Sequence, residues 1–399
     1  MRHTVLLDKT ACTGCGACVS ICPKGAISMR PDEEGFLYPS VEQKLCIGCD
    51  LCEKRCPAGK AHPEIRPLLL GAKNKDDDVR EASSSGGVFS ALAMDMFKKG
   101  GVVFGAAFDP NMHVEHIGAF DPSELAPMRG SKYVQSEAAD AIGNAAALLA
   151  KDIPVLFSGT PCQVAGLLAK VPSKHREKLL TVDFVCHGVP SPGVFASYIK
   201  KLEETHGKRI VKYTFRDKRN GWKDFYAVAT FEDGSEHMGS QREEPYLYGF
   251  LQNLYLRPSC TRCDNLRGAH HVSDITIADL WGVQEICPEL DDDRGLSLVM
   301  VNTQKGREAL DGCKAAISAF AVDKGPMMRF NPSIEVPANA HEKRKAFFDA
   351  YSKNGFDPAV VMKLLAGPGV AERILRRIAH LPKGAVRRLR VLLGKIKNR

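Results

Sequence analysis

The chain has 399 residues, a formal net charge of +8, 44% hydrophobic and 26% charged residues. That is the profile of an ordinary soluble globular protein, long enough for two or three domains at about 150 residues each. No apolar run reaches the about 18 residues that a membrane-spanning helix needs. Ten Lys or Arg and no Asp or Glu fall within residues 373–399, so residues 1–372 carry −2, and the body lacks the basic footprint of a nucleic-acid binder.

The start, MRHTVLLDKTAC, has neither the apolar core nor the cleavage site of a signal peptide, so a cytoplasmic location is expected. Fourteen cysteines in such a chain read as metal ligands or redox centres before disulfides. Residues 1–60 repeat one run, C-x2-C-x2-C-x3-C-P, at Cys12, Cys15, Cys18, Cys22 and again at Cys46, Cys49, Cys52, Cys56, 34 residues later. Three closely spaced thiolates wrap one corner of a cubane and a fourth must come from elsewhere. In the two-cluster bacterial ferredoxin signature, each fourth Cys ligates the other cluster. The spacing therefore assigns Cys12, Cys15, Cys18 and Cys56 to one [4Fe–4S] cluster, and Cys46, Cys49, Cys52 and Cys22 to a second. A zinc ribbon uses separated C-x2-C pairs, not three in a row twice.

Residues 61–80, rich in Pro and charge, read as a linker. From residue 81 to about 340, apolar strand-like runs at 101–108, 153–157 and 179–185 alternate with helical patterns at 88–98, 138–150, 162–169 and 192–204. That alternation predicts an α/β domain with a largely parallel sheet. Residues 211–215, 225–231 and 235–238, with Asp233-Gly234 as a turn, predict an antiparallel excursion. Residues 341–399 are expected to be helical and to end in a basic amphipathic tail. That tail has two readings, an interfacial helix making peripheral contact with the inner face of a membrane or a packed surface helix.

Six cysteines remain. Cys162 and Cys186 each follow an apolar strand, the place where open α/β sheets put their ligands. Cys260 and Cys263 form a C-x2-C pair. The four suit a third [4Fe–4S] cluster. Zinc held by the pair with His270 or His271, a reactive Cys162 at a helix start, and inert buried thiols are the competing readings. Cys287 and Cys313 show no partner pattern, and His113 and His116 are assigned no role.

Three loops could cradle an anion: Ser84, Ser85, Gly86 and Gly87 before a helix; Gly130, Ser131, Lys132 and Tyr133; and Gly159 with Thr160. Each also reads as a plain cap. Neither a G-x-G-x-x-G fingerprint nor a P-loop is present, which removes the standard dinucleotide and NTPase readings. Arg216, Lys218 and Trp222 crowd one inter-strand loop and are expected to grip a flat, acidic partner, the alternative being a solvated hairpin tip. Trp281 follows another apolar strand.

The stretches SSSGGVF at 83–89, RGSKYV at 129–134, SGTPCQ at 158–163, FVCHGVPS at 184–191, FRDK at 215–218 and SDITIADLWG at 273–282 resemble the coenzyme F420 hydrogenase/dehydrogenase beta-subunit family. A two-cluster ferredoxin domain stands in front. The resemblance implies an α+β / α/β fold, with a bacterial-ferredoxin-like domain (1–60) fused to a mixed α/β flavin-binding and Fe–S domain (81–340). It implies FAD, contacted by the loops at 83–87 and 129–133, and favours the third cluster on Cys162, Cys186, Cys260 and Cys263. No catalytic acid or base is carried over. The implied function is an iron–sulfur flavoprotein oxidoreductase exchanging a hydride with a deazaflavin (coenzyme F420) or another small organic substrate. The alternatives are an electron-transfer subunit serving a redox partner protein, including one in surface-polysaccharide synthesis, and a regulatory iron–sulfur protein without activity.

Overall fold

The computed structural model describes residues 8–366. The N-terminal part is small. Strands β1 (Ile27–Pro31) and β2 (Leu37–Val41) form an antiparallel pair, and two short helices, Ala17–Ile21 and Leu51–Lys54, lie within the two cysteine runs and carry Cys18 and Cys52.

The body is built on an eight-stranded mixed sheet. Its strands are β3 (Leu68–Asn74), β4 (Val102–Phe108), β5 (Val114–Ala119), β6 (Val155–Ser158), β7 (Leu179–Phe184), β11 (Ile275–Asp279), β12 (Ser297–Val301) and β13 (Ile317–Ala321). The order is β13-β3-β12-β11-β7-β6-β4-β5. The pairs β4/β6, β6/β7 and β7/β11 are parallel. The strands flanking these four pair antiparallel.

The strands read as continuous apolar runs because both faces are covered. Side chains alternate between faces with period two. Val103, Leu156, Leu180 and Val182 pack under the helix Val88–Lys98. Val102, Phe104, Val155, Phe157 and Leu179 pack against the helices Ala139–Ala150 and Pro161–Lys170. The expected antiparallel excursion is a separate three-stranded sheet: β8 (Ile210–Asp217), β9 (Tyr226–Phe231) and β10 (Glu236–Ser240). It is held by an aromatic core that includes Phe195, Tyr213, Phe215, Tyr246 and Phe347. The last described helices are Arg344–Asn354 and Pro358–Leu365.

One expectation needs correction. Residues 61–80 are not a linker throughout, because β3 lies within them, paired on both edges, and the helix Asp77–Glu81 follows. Its apolar half is only Leu68, Leu69 and Leu70, and the charged run from Lys73 to Asp78 hides the strand in the composition. The basic tail lies outside the described residues. No helix among the described residues is long and apolar enough to cross a membrane.

The N-terminal part docks on the body. Gly16 (φ +78°) begins the helix Ala17–Ile21, and a Cβ there would lie 3.0 Å from the Ala139 backbone. Lys170 Nζ donates to the Ser20 carbonyl (2.5 Å). Arg344 forks onto the Glu34 carboxylate at 2.8 and 2.5 Å.

Candidate redox cysteines and cofactor cavity

The structure brings N-terminal cysteines of the two runs near one another. Cys22, Cys46, Cys49 and Cys52 line one small cavity with Pro23, Ile47 and Leu51. Cys18 lies within electrostatic reach of Cys12, Cys15 and Cys56, and Cys56 within reach of Cys12 and Cys15. Burial first, then that mutual proximity, pushes the Cys18 thiol up to about 12 and drives Cys15 well above its ordinary range. Crowded, partly buried thiols that repel one another are held as thiolates by a nearby cation.

A third set is assembled by the sheet. Cys162 sits in the first turn of the helix Pro161–Lys170, just past β6. Cys186 follows β7. Cys260 and Cys263 lie on and just after the turn Pro258–Arg262. All four line one cavity, joined by Thr13 of the N-terminal part. Burial lifts Cys260 to about 12 and Cys186 further, while the Arg267 charge opposes the rise at Cys186 and Cys263.

Three buried polar atoms on residues of that cavity have no hydrogen-bond partner: Ser259 Oγ, Arg267 Nε and His271 Nε2. Unpaired buried groups are costly, and donors around four thiols fit a bound sulfur-rich group. His270 turns away to the His62 carbonyl (3.0 Å). Among the described residues no three His, Cys, Asp or Glu are gathered closely enough for one metal ion. The first and third sets meet: Cys162 adds to the rise of the Cys15 thiol, and a Cβ on Gly166, one turn along the helix from Cys162, would lie 3.2 Å from Cys15 Sγ.

A cavity of about 580 Å³ opens at the carboxyl ends of the parallel strands, where such sheets bind ligands. It is lined by Ser84, Ser85, Gly87, Gly130, Ser131, Lys132, Tyr133, Gly159, Thr160 and Arg216. Two of the expected loops are tied together, since the Ser131 N–H and hydroxyl both donate to Ser84 Oγ (2.6 and 2.8 Å). Thr160 caps the helix Pro161–Lys170 in a box with Gln163, so it serves as cap and cavity wall at once. Lys132 Nζ donates to the carbonyls of Pro127 and Arg129 (2.7 and 2.8 Å), and burial lowers it to about 7.

Arg216 pairs through Nη1 with Asp279 and lies over the Phe225 ring, 4.3 Å from its centroid. Its Nε and Nη2 have no acceptor. Asp279 is the one carboxylate on this wall among the described residues, against Arg129, Lys132 and Arg216. The cavity is thus built for an anion with flat apolar parts.

Three expected residues stand elsewhere. Gly86 is a packing glycine: its N–H donates to Ser297 Oγ, and a Cβ would meet the Ala72 carbonyl at 2.4 Å. Lys218 is buried and donates to the carbonyls of Arg80 and Arg294 (2.6 and 2.9 Å). Trp222 is 1% exposed, stacks on Trp281 at 4.6 Å and donates Nε1–H to Asp279. Lys218 and Trp222 do not face the cavity; their loop folds inward onto the acidic turn at 291–293 and braces the wall from behind. Sequence reasoning missed His116 and Phe250, both on the cavity. His116 comes there through the pairing of β5 with β4. Burial lowers it to about 4, and its ring bonds the Ser158 carbonyl.

The two cavities share a wall, for Phe184, Val185, Cys186, Val189 and Ser333 line both.

Comparison with known families agrees with this layout. Two family models describe the N-terminal and C-terminal regions of the coenzyme F420 hydrogenase/dehydrogenase beta subunit. Residues 69–143 match the first and residues 154–323 the second. The chain belongs to this family. Ahead of the family's two regions, residues 11–60 match a 4Fe-4S dicluster domain, so the chain joins an iron–sulfur module to an oxidoreductase-related subunit. Among solved structures, the chain is similar to one from the F420-reducing [NiFe] hydrogenase complex of Methanosarcina barkeri. The identity is 14% and the TM-score 0.46, over 78% of this chain and 96% of that one. No curated protein matches.

Proposed function

We propose that this family member is an iron–sulfur flavoprotein oxidoreductase with three [4Fe–4S] centres, exchanging single electrons with a protein partner and a hydride with a small organic substrate. The observation that carries the reading is Cys186, which stands in the wall between the four-cysteine cavity and the large anion-accepting one. Cys12, Cys15, Cys18 and Cys56 would hold the first centre, and Cys22, Cys46, Cys49 and Cys52 the second. Cys162, Cys186, Cys260 and Cys263 would hold the third. The large cavity would hold FAD, with Ser84, Ser131, Lys132, Gly159, Thr160 and Arg216 toward it. Such groups supply one-electron exchange and, at the flavin, conversion between single electrons and a hydride. One hydride equivalent is two electrons and one proton.

The chain's own residues bind, orient and exclude water. Lys132 and the unpaired face of Arg216 attract negative charge. Tyr133 and Phe250, stacked at 4.8 Å, offer apolar surface. Lys132 Nζ, brought to about 7 by burial, can hold or release a proton inside the cavity. The hydride partner would be a deazaflavin or another organic hydride carrier, and the family description supports the former.

A second reading is a subunit that relays electrons to a partner enzyme and has no substrate of its own. It is favoured by the exposed Leu45 and Ile47, which flank Cys46 at the second cavity. The deciding experiment is anaerobic purification with iron, sulfide and flavin counts per chain. About twelve irons and one flavin support the full reading, at four irons per cluster. About eight irons remove the third centre, and absence of flavin removes the hydride step. Turnover of the purified chain alone with hydride carriers separates an enzyme from a relay subunit. Co-sedimentation with anionic vesicles, with and without residues 373–399, tests whether the basic tail places the protein at a membrane.

A further inference from the structure

Arg257 stands at the seam between the N-terminal part and the body, with no solvent exposure. Its backbone belongs to the third cysteine set: its N–H donates to the Val189 carbonyl (2.9 Å) and its carbonyl accepts from Cys260 N–H (3.0 Å). Its side chain belongs to the first. Nε donates to the Cys12 carbonyl (2.8 Å), and both terminal nitrogens reach the Leu37 carbonyl (3.1 Å). Nη1 donates to Gln135 Oε1 (2.9 Å), and Nη2 lies 3.8 Å from Cys12 Sγ. The Tyr38 ring lies 4.1 Å from Cζ. Gly14 makes room for this arrangement. At its φ of +68°, a Cβ would come within 2.7 Å of Nη1.

A guanidinium stays charged in proteins. No carboxylate pairs with Arg257 among the described residues; every acceptor in its shell is a carbonyl, an amide or a sulfur. A buried cation without counter-charge is costly. The negative charge at hand is that of the thiolates on either side, Cys12 at its tip and Cys260 three residues along its chain.

We propose that Arg257 is a shared positioning residue for the first and third centres, compensating the charge of both and holding up both reduction potentials. This rests on the reading of Cys162, Cys186, Cys260 and Cys263 as a third centre. Net charge and hydrogen bonds near the sulfurs set cluster potentials, so one fixed cation between two centres keeps them matched for exchange. The second centre is the internal reference, because Arg257 does not line its cavity.

The test is a redox titration of the full chain followed by electron paramagnetic resonance, with the reference signal assigned by its loss in Cys49→Ala. Arg257→Gln is expected to lower the potentials of the first and third centres by at least the equivalent of a tenfold change in redox ratio, about 59 mV for one electron. The reference should stay in place, and Arg257→Lys should recover most of the shift. Unmoved potentials, or an equal shift in all three centres, overturn the inference. Should Arg257→Gln fail to load iron, Gln135→Glu carries the test. It sets a carboxylate beside Nη1 and is expected to lower the same two potentials; no shift there overturns the inference equally. A wild-type count of about eight irons removes the third centre, and the shared role with it, before any variant is made. A count of about twelve with unmoved potentials overturns the role of Arg257 alone.

Discussion

The two parts of this chain solve the same problem, gathering four thiols, by opposite means. In residues 11–60 the thiols come from two short runs, and the part has little else to hold it. Apart from cysteines and small residues, its buried side chains are Ile21, Ile27, Phe36 and Pro57. The body gathers its four from loops as distant as Cys162 and Cys263, and it can do so because two packed apolar layers fix the sheet first. Small modules with thin cores lean on metal for stability, whereas large ones do not.

The largest expected effect follows from this contrast. Removal of iron should unfold the N-terminal part and leave the sheet standing. Hydrogen exchange on metal-free protein should show residues 8–60 exchanging freely while β4, β6 and β7 stay protected. Equal protection of both parts would sink the comparison. Partial protection confined to Ala17–Ile21 would sharpen it, since that helix packs on the helices Ala139–Ala150 and Pro161–Lys170.

The contrast also applies inside the body, between loops that line the cavity and loops that brace it. Trp222 touches no ligand space yet closes a cluster with Leu280, Leu296, Leu298 and Met300 behind the wall. Trp222→Ala is expected to cost about 3–5 kcal/mol, the range for truncating a large buried aromatic, and to loosen cofactor retention through Trp281 and Asp279. Trp222→Phe keeps a ring on Trp281 but leaves Asp279 Oδ1 without its donor, for a cost of about 1 kcal/mol. Chemical denaturation checks both. Loss of cofactor without loss of stability would mean that Trp222 meets the ligand after all.

These particulars explain what could be read in the sequence. The 4Fe-4S dicluster domain was legible because its cysteine runs are written in spacings of two and three residues. The helix Val88–Lys98 and strands β4, β6 and β7 were legible because a doubly covered sheet leaves long apolar runs punctuated by glycine and proline. β3 was not, because its apolar run is only three residues long and abuts the charged run at 73–78, and its partners β12 and β13 lie more than 200 residues away. Lys218 and Trp222 were misjudged for a related reason. A cationic loop looks free to grip an acidic partner until the acidic turn that covers it, with Asp291 and Asp293, is brought beside it by the fold. Arg257 carried no signal at all, for its partners are backbone carbonyls, which every sequence supplies.

The smallest expected effect tests the anion-accepting character of the cavity against the near-neutral charge of the body around it. Burial lowers Lys132 from 10.5 to about 7, so in the empty cavity its ammonium is the main form below that pH and the neutral amine above it. The buried charge carries a cost that grows as pH falls from 10.5 toward about 7 and is constant below. An anionic occupant relieves that cost by stabilising the ammonium, which raises its pKa on binding and makes binding take up a proton. Affinity for FAD, followed by fluorescence quenching, should therefore weaken as pH rises above about 7, by at most tenfold per unit. Lys132→Met should bind FAD more weakly at about pH 6 and with a flatter profile, converging on the wild type at about pH 9. A wild-type profile as flat as that of the variant would remove Lys132 from the binding face and leave Arg129 and Arg216 to attract the anion.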